Sequence, residues 1–391
     1  MIKRILEIFP KWTITGLLLI THIHAQTDWT SPSCYSTCET SERCNSFWAD
    51  ADYLYWKIQN SPESVPLVQD PTSVVLGGKE INTGWRSGAR AALGTWFDCN
   101  HYWGAEVSYF LLPEESKKYS VSSDGSPSSA LLSVPYFNVV IAAKDSTPIA
   151  SPLLSILGTA KLKLVNEMQG AELNALTTIP SCYCGSNFLA LMGFRYWDFR
   201  EHLTFSTNSP FNPPHVTDTY ATKDDFNVKN NFYGAQLGLV WEYDCGCLSI
   251  TAKGKVALGV MCESLVINGH LFTNDYNNFE DVLKYTGGYF ALPTNIGKYS
   301  QTKFAAIPEF NFNVGYQLFD WMQIKLSYTF IYVSNVLWAG KQIDRNINPT
   351  QAVTYTGAVP PMLLGLANPK PDLKTNSLCV QGLNIGVELR F

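Results

Sequence analysis

Residues 383–391, Leu383-Asn384-Ile385-Gly386-Val387-Glu388-Leu389-Arg390-Phe391, alternate apolar with polar or small side chains and end on an aromatic at the carboxyl terminus. Successive side chains of a strand point to opposite faces. Leu383, Ile385, Val387, Leu389 and Phe391 therefore make one apolar stripe, while Asn384, Glu388 and Arg390 lie on the other face. A soluble domain has little use for such an ending. The closing strand of a bacterial outer-membrane β-barrel needs an apolar face for lipid and a polar one for the lumen, and a terminal aromatic such as Phe391 matches the assembly signal that barrel-assembly machinery reads.

The amino terminus supplies a second constraint. Lys3, Arg4 and Lys11 precede the apolar run Ile14-Thr15-Gly16-Leu17-Leu18-Leu19-Ile20, which Ile23-His24-Ala25 follows. That order is a secretory signal peptide, with cleavage expected after Ala25, although Ile23 is larger than the residue usual at its position. The run is too short for the ~20 residues a membrane helix requires. Cleavage removes three basic residues and Glu7, so the exported chain is more acidic than the formal net charge of −5 of the whole sequence. The domain plan is a signal peptide over 1–25, a Cys-rich periplasmic segment over 26–46 and a barrel over 47–391.

Composition agrees with a barrel. Aromatics make up 13% of the chain and charged residues only 16%, against about 25% charged in an ordinary soluble domain. No later stretch is long and apolar enough for a spanning helix. A chain that crosses lipid without helices must close its strands into a barrel, because unpaired backbone groups are too costly there.

Alternating segments recur near 47–58, 84–98, 102–112, 161–177, 188–205, 226–243, 247–267, 302–319, 322–338 and 378–391. The clearest sets Ile324, Leu326, Tyr328, Phe330 and Tyr332 against Gln323, Lys325, Ser327 and Thr329. Tight turns fall at Asp98-Cys99-Asn100, Cys182-Gly185, Asp244-Cys247 and Asp320-Trp321, and long polar connections near 59–83, 113–160, 206–225, 268–301 and 339–377. An even strand number places the turns in the periplasm and the loops outside the cell. The fold class expected is all-β: a transmembrane antiparallel up-and-down barrel of ten strands, or twelve if 130–134 and 137–141 add a hairpin, against which Pro135 argues.

All ten cysteines follow residue 25. Export favours disulfides, and the Cys-x-Cys pairs lack the spacing and nearby histidines of zinc sites, so no metal or cofactor is expected. Cys99, Cys182, Cys184, Cys245 and Cys247 at the turns share a compartment with Cys34, Cys38 and Cys44. These eight are the disulfide candidates, either locally or to other Cys-rich envelope proteins.

Read literally, the alternation turns Arg86, Arg90, Glu106, Arg195, Gln236, Glu242, Lys253, Lys255, Glu309, Asn311, Lys325, Glu388 and Arg390 inward. The basic excess among them predicts a wall that favours anions if water passes. Trp48, Tyr53, Tyr55, Trp96, Tyr102, Trp241, Tyr243, Trp321, Tyr332 and Trp338 are expected outside, as interfacial girdles.

Ala51-Asp52-Tyr53-Leu54-Tyr55-Trp56, Ser87-Gly88-Ala89-Arg90, Leu93-Gly94-Thr95-Trp96 and Gly104-Ala105-Glu106-Val107-Ser108-Tyr109-Phe110 resemble the amino-terminal half of the BBP-seven family of outer-membrane β-barrel proteins. Gly193-Phe194-Arg195-Tyr196-Trp197-Asp198, Asn231-Phe232-Tyr233-Gly234-Ala235-Gln236-Leu237-Gly238-Leu239 and Ala291-Leu292-Pro293-Thr294-Asn295-Ile296-Gly297-Lys298-Tyr299-Ser300 carry the likeness through the second half, continued by Val333-Ser334-Asn335-Val336 and Gln342-Ile343-Asp344. More loosely the chain is similar to the pore-forming major outer-membrane proteins of Legionella and environmental chlamydiae. The resemblance implies an outer-membrane barrel, with a pore in the looser relatives, and brings no catalytic residues. The cysteine-rich turns depart from many members and resemble chlamydial envelopes, where cross-linked proteins are thought to stiffen the wall.

His101, His202, His215 and His270 form no recognisable catalytic pattern, and His202 and its neighbour Glu201 point to opposite faces of a strand. Nothing in the sequence suggests a nucleic-acid surface. The function expected is a narrow porin-like channel for small solutes or ions in the outer membrane of a Gram-negative cell, surrounded by outer-membrane lipid. The alternatives are a disulfide-linked structural protein of the envelope or a surface adhesin.

Overall fold

The computed structural model describes residues 46–62, 65–180, 185–210, 220–274, 281–357 and 359–391. The expected signal peptide and Cys-rich segment lie outside these residues. The strands are β1 (Phe47–Ile58), β2 (Pro66–Gln69), β3 (Val74–Gly77), β4 (Trp85–Trp96), β5 (Trp103–Ser123), β6 (Leu132–Asn138), β7 (Ala143–Ala150), β8 (Gly158–Ile179), β9 (Ser186–Asn208), β10 (Tyr220–Cys245), β11 (Leu248–Asn274), β12 (Val282–Thr286), β13 (Gly297–Phe319), β14 (Met322–Leu337), β15 (Asn346–Ile347) and β16 (Thr375–Arg390).

Ten of them close a barrel. In chain order β1, β4, β5, β8, β9, β10, β11, β13, β14 and β16 each pair antiparallel with the next, and β16 returns to β1 in register from Trp48 opposite Arg390 to Ile58 opposite Val380. At the seam the Phe391 amide donates to Phe47 O at 2.8 Å. The expected all-β antiparallel barrel is borne out with ten strands. The proposed extra hairpin is not part of it: Leu132–Asn138 is one strand running through Pro135, paired with β7 and β2 in a separate small sheet ordered β15-β6-β2-β3. Pro135 lacks an N–H, yet its carbonyl accepts from Arg345 Nε at 3.1 Å.

The outer face defines the membrane band. On β10, Tyr243 and Tyr233 bracket Leu237 and Leu239, all outward and exposed. Ten residues of a strand tilted by about 40° rise about 25 Å along the normal, the height of the apolar belt of such barrels. Tyr109, Tyr196 and Tyr233 form one girdle across β5, β9 and β10, with Tyr196 and Tyr233 at 5.3 Å. Phe319 and Trp321, stacked at 5.6 Å, belong to the turn-end girdle.

Three tryptophans expected outside are instead inside. Trp48 and Trp96 face the lumen, and Trp338, fully buried, follows β14 into the barrel. An aromatic at a strand end suits a girdle and a plugged mouth equally well, so the residue type there does not decide the face. Trp48 lies directly opposite Gly94, whose missing side chain leaves the space for the indole. A Gly94→Leu variant is therefore expected to expel Trp48 and lose about 1–3 kcal/mol of stability, as overpacked sites do. Urea unfolding in lipid vesicles, followed by tryptophan emission, measures it, and an unchanged midpoint would refute the packing assigned to Trp48.

Beyond the membrane band the strands continue as a folded domain. β5, β8, β9, β10, β11 and β13 run 21–27 residues, against 12–16 in β1, β4, β14 and β16. The tall wall encloses an apolar core that includes Leu164, Phe205, Phe226, Leu265, Phe290 and Leu337, shared with Leu67 and Val134 of the small sheet. In that sheet Tyr136 donates to Asp145 at 2.9 Å. Burial and this carboxylate push the phenol up to about 12.

Candidate functional site in the barrel lumen

Three layers of side chains fill the lumen. The first, near the tight turns, is apolar: Trp48 and Trp96, with rings 5.4 Å apart, pack against Leu176, Leu189, Leu191 and Val240.

The second layer is ionic. Arg195, fully buried, donates from Nη2 to Glu309 Oε2 at 2.5 Å and lies 3.6 Å from Glu172 Oε1. Lys255 Nζ bonds Glu172 at 2.7 and 2.8 Å and sits 3.3 Å from Glu309. Arg90 approaches Glu309 at 3.6 Å, and Gln236 donates to Glu172 at 3.0 Å. These side chains come from β4, β8, β9, β10, β11 and β13, so the cluster spans the lumen from wall to wall. Closer to the turns, Lys253 is 3.7 Å from Glu106, and Lys325 pairs with Asp50 and, at 3.3 Å, with Glu388, which accepts from Arg390 at 2.7 Å. Towards the loops, Arg86 pairs with Glu115 at 3.5 Å and with Asn166.

The cluster sits at membrane height. The residues next to its members, Leu173, Phe194, Val256 and Phe310, point into lipid and are 44–60% exposed. Charges buried behind a lipid-facing wall hold only with full pairing, and every charge in the central cluster has an opposite partner within 4 Å.

The third layer is apolar again: Trp56, Phe110, Trp197, Phe199, Phe232, Met261 and Trp338. Arg90 links it to the ionic layer, its guanidinium 5.3 Å from the Trp56 ring and 5.7 Å from Phe110, within cation–π range. Trp56 Nε1 donates to Asn384 Oδ1 at 2.6 Å.

Two loop segments are tied into the barrel above this layer. Asp224 of β10, fully buried, accepts from the backbone amides of Tyr289, Phe290 and Ala291 at 3.0, 3.1 and 2.7 Å. Glu201 of β9 accepts from Ala339 N at 2.9 Å and Ser61 Oγ at 3.2 Å. Asn230 accepts from Leu337 N at 2.7 Å and donates to Leu337 O at 3.1 Å.

The thirteen residues expected inside thus lie on the inner surface, but most are members of a packed interior and do not line an open wall, while Arg390 is exposed at the turn end. The expected basic excess does not hold. Asp50, Glu172, Glu201, Asp224 and Glu263 also point inward, and sequence reasoning passed over all five. Glu172 had a signal, since Glu172, Asn174 and Leu173 repeat the alternation. Glu201 had none, because its neighbours on the same face, Phe199 and Leu203, are apolar, and Asp224 stands between Thr222 and Phe226.

Cys247 carries an exposed thiol that is free within the chain; Cys245 beside it is half-buried, and Cys99 is disulfide-bonded. Cys34, Cys38, Cys44, Cys182 and Cys184 lie outside the described residues, as does His215. His202 reaches Asp225 at 3.1 Å on the outer face, a cross-strand neighbour that adjacency in sequence conceals, while Glu201 points inward as the alternation requires. His101 stacks on Trp96 at 5.0 Å.

A closed antiparallel barrel with an apolar outer belt, aromatic girdles and a polar interior at membrane height is an integral outer-membrane protein. The family model described as "Putative beta barrel porin-7 (BBP7)" matches residues 48–391, and the chain belongs to that family. The expected relationship is borne out. No curated protein matches the chain. Among solved structures it is similar to the outer membrane protease OmpT from Escherichia coli, at 10% identity over 89% of this chain and 98% of that one, with a TM-score of 0.44. It is also similar to the P. putida toluene transporter TodX, at 10% identity over 88% and 90% of the two chains and a TM-score of 0.23. A Pseudomonas aeruginosa FadL homologue gives 8%, 88% and 90%, with a TM-score of 0.23. Likenesses this distant carry no argument about activity.

Proposed function

We propose that the protein is a narrow outer-membrane channel for small ions that is closed at rest. Its tight turns face the periplasm, its loops face outside, and no residue is assigned to catalysis. Membership of the porin family supports a channel. The observation that carries the closure is the ionic layer spanning the lumen between two apolar ones, with each charge of its central cluster within 4 Å of an opposite one. Ten-stranded barrels are narrow enough for side chains to fill, so conduction requires the layers to part.

Planar-bilayer recording of the refolded full chain tests this. Rare, stepwise, voltage-dependent openings are expected, and large steady conductance would overturn the closure. Lys253→Gln with Lys255→Gln removes two inward cations without adding a carboxylate to Glu106, Glu172 and Glu309. Reversal potentials in a KCl gradient are expected to shift towards cations, and unchanged selectivity would remove both lysines from the ion path.

The same closure favours a second reading, a non-conducting structural protein of the envelope. A folded, heat-modifiable barrel that never opens at any voltage would select it.

A further inference from the structure

Along the tall wall the outer face turns basic above the girdle. On β8 the outward series runs Leu173, Ala171, Gln169, Glu167, Val165, Lys163, Lys161, and on β5 Lys118 lies directly opposite Lys163 in the ladder. All three lysines are exposed, and none has an ion-pair partner among the described residues. On β9, Ser206 is opposite Lys161 and adds a hydroxyl. Lower down, Arg200 and Lys229 are also directly opposite, although Glu167 and Asp198 hold Arg200 at 2.9 and 2.8 Å.

Like charges directly across an antiparallel ladder, with Cβ atoms about 4.5–5.5 Å apart, destabilise a sheet. Glu114 and Glu115 are close by in sequence, but Glu115 turns inward to Lys117 at 2.6 Å and to Arg86. The opposite wall offers no equivalent: the outward side chains of β1, β4, β14 and β16 include one charge above the girdle, Lys57. On an acidic chain, unpaired cations collected on one face mark a place for an external anion.

We infer that Lys118, Lys161 and Lys163, with Ser206, bind the phosphorylated headgroup of a glycolipid in the leaflet surrounding the loop end of the barrel. Position selects the lipid. The site lies on the outer face of the same strands that carry the membrane band, above the girdle. Gln169, bonded to the Tyr109 hydroxyl at 2.7 Å, marks the girdle. Six residues of tilted strand set Lys163 about 15 Å above it. That height suits phosphates carried on headgroup sugars. Arg200 and Lys229 lie between and meet charge nearer the acyl boundary. Ammonium groups contact phosphate as point charges with no fixed geometry, so three on one small patch serve a polyanionic headgroup without demanding a single orientation.

Native mass spectrometry of the refolded full chain with lipopolysaccharide in the same detergent tests the site. Retention of the glycolipid is expected, with at least a tenfold loss for the triple variant Lys118→Gln, Lys161→Gln, Lys163→Gln and a similar loss for dephosphorylated lipopolysaccharide on the unaltered protein. Equal binding in either case would overturn the proposal. An equal loss in Lys57→Gln, Lys298→Gln, Lys370→Gln, which removes the same charge elsewhere, would overturn it too. Displacement by inorganic phosphate at similar concentration would assign the site to a free anion and overturn the lipid. Lys118→Gln alone relieves the facing pair, so the lipid-free barrel should melt higher; an unchanged or lower melting temperature would mean that the pair is already compensated within the protein.

Discussion

Glu309→Ala is expected to be the most damaging single substitution inside the membrane band. It removes the partner of Arg195 at 2.5 Å and leaves Arg90 and Lys255, at 3.6 and 3.3 Å, without their shared carboxylate. Glu172 then answers for the cluster alone, although it is 3.6 Å from Arg195. Breaking a buried pair from one side costs about 3–5 kcal/mol, because the orphaned charge keeps its desolvation penalty. The wall behind it faces lipid, so there is no route by which the barrel could relax to hydrate Arg195 from outside. Equilibrium unfolding of the refolded variant in vesicles should show a loss of that order. Combining Glu309→Ala with Arg195→Leu removes both members of the pair and should recover much of the loss. A single variant as stable as the parent, or a double variant no better than the single one, would mean the layer is not held by this pair.

The chain announces its barrel because lipid imposes one rule on every strand, apolar side chains outward at alternate positions, and all ten strands obey it within the membrane band. What it conceals is a reversal higher up. On β8, Glu172 and Asn174 face inward beneath the girdle, yet Leu162 and Leu164 face inward above it, where Lys161 and Lys163 face out. The same inversion separates Arg195 from Leu203 and Phe205 on β9, and Gln236 from Phe226 and Val228 on β10. A barrel standing in water needs its core inside, whereas one standing in lipid needs its apolar surface outside. Long strands therefore change phase where they leave the membrane. Read as uniform alternation, the upper halves remained legible as strands, but their inward residues were not seen to form a core. The loops resisted for another reason. The 287–296 segment is irregular, and beside its local bonds through Asn295 it is held by side chains distant in sequence, such as Asp224 and Phe205, which no local pattern records. Part of the family motif from Ala291 to Ser300 belongs to this segment. Tyr289, Phe290, Ala291, Leu292 and Asn295 of this segment are buried, which constrains that part of the string.

Asp224→Ala should release that segment while leaving the barrel closed. The carboxylate is the acceptor for three consecutive backbone amides, Tyr289, Phe290 and Ala291, and Gly288 passes so near it that a side chain there would collide. Hydrogen bonds to a charged acceptor contribute about 1.5–3 kcal/mol each, and three sharing one carboxylate contribute less than their sum. A loss of about 3–5 kcal/mol is nonetheless expected in the local stability of residues 287–296. Asn295 cannot replace the carboxylate, since its own oxygen already accepts from Leu292 N at 2.8 Å and its amide donates to Phe290 O at 3.0 Å. Hydrogen exchange separates the local effect from a global one. The amides of 288–292 should lose protection by two orders of magnitude or more, while β1 and β16, which lie across the barrel from β10 and keep their ladders, should exchange as before. Asp224→Asn retains one acceptor oxygen and should fall between the two. Unchanged protection at 288–292 in the alanine variant would show that apolar packing of Phe290 against Phe205, 5.7 Å away, holds the segment without the carboxylate. In that case opening the loop end of the barrel would require the core around Phe205 and Phe226 to come apart as well.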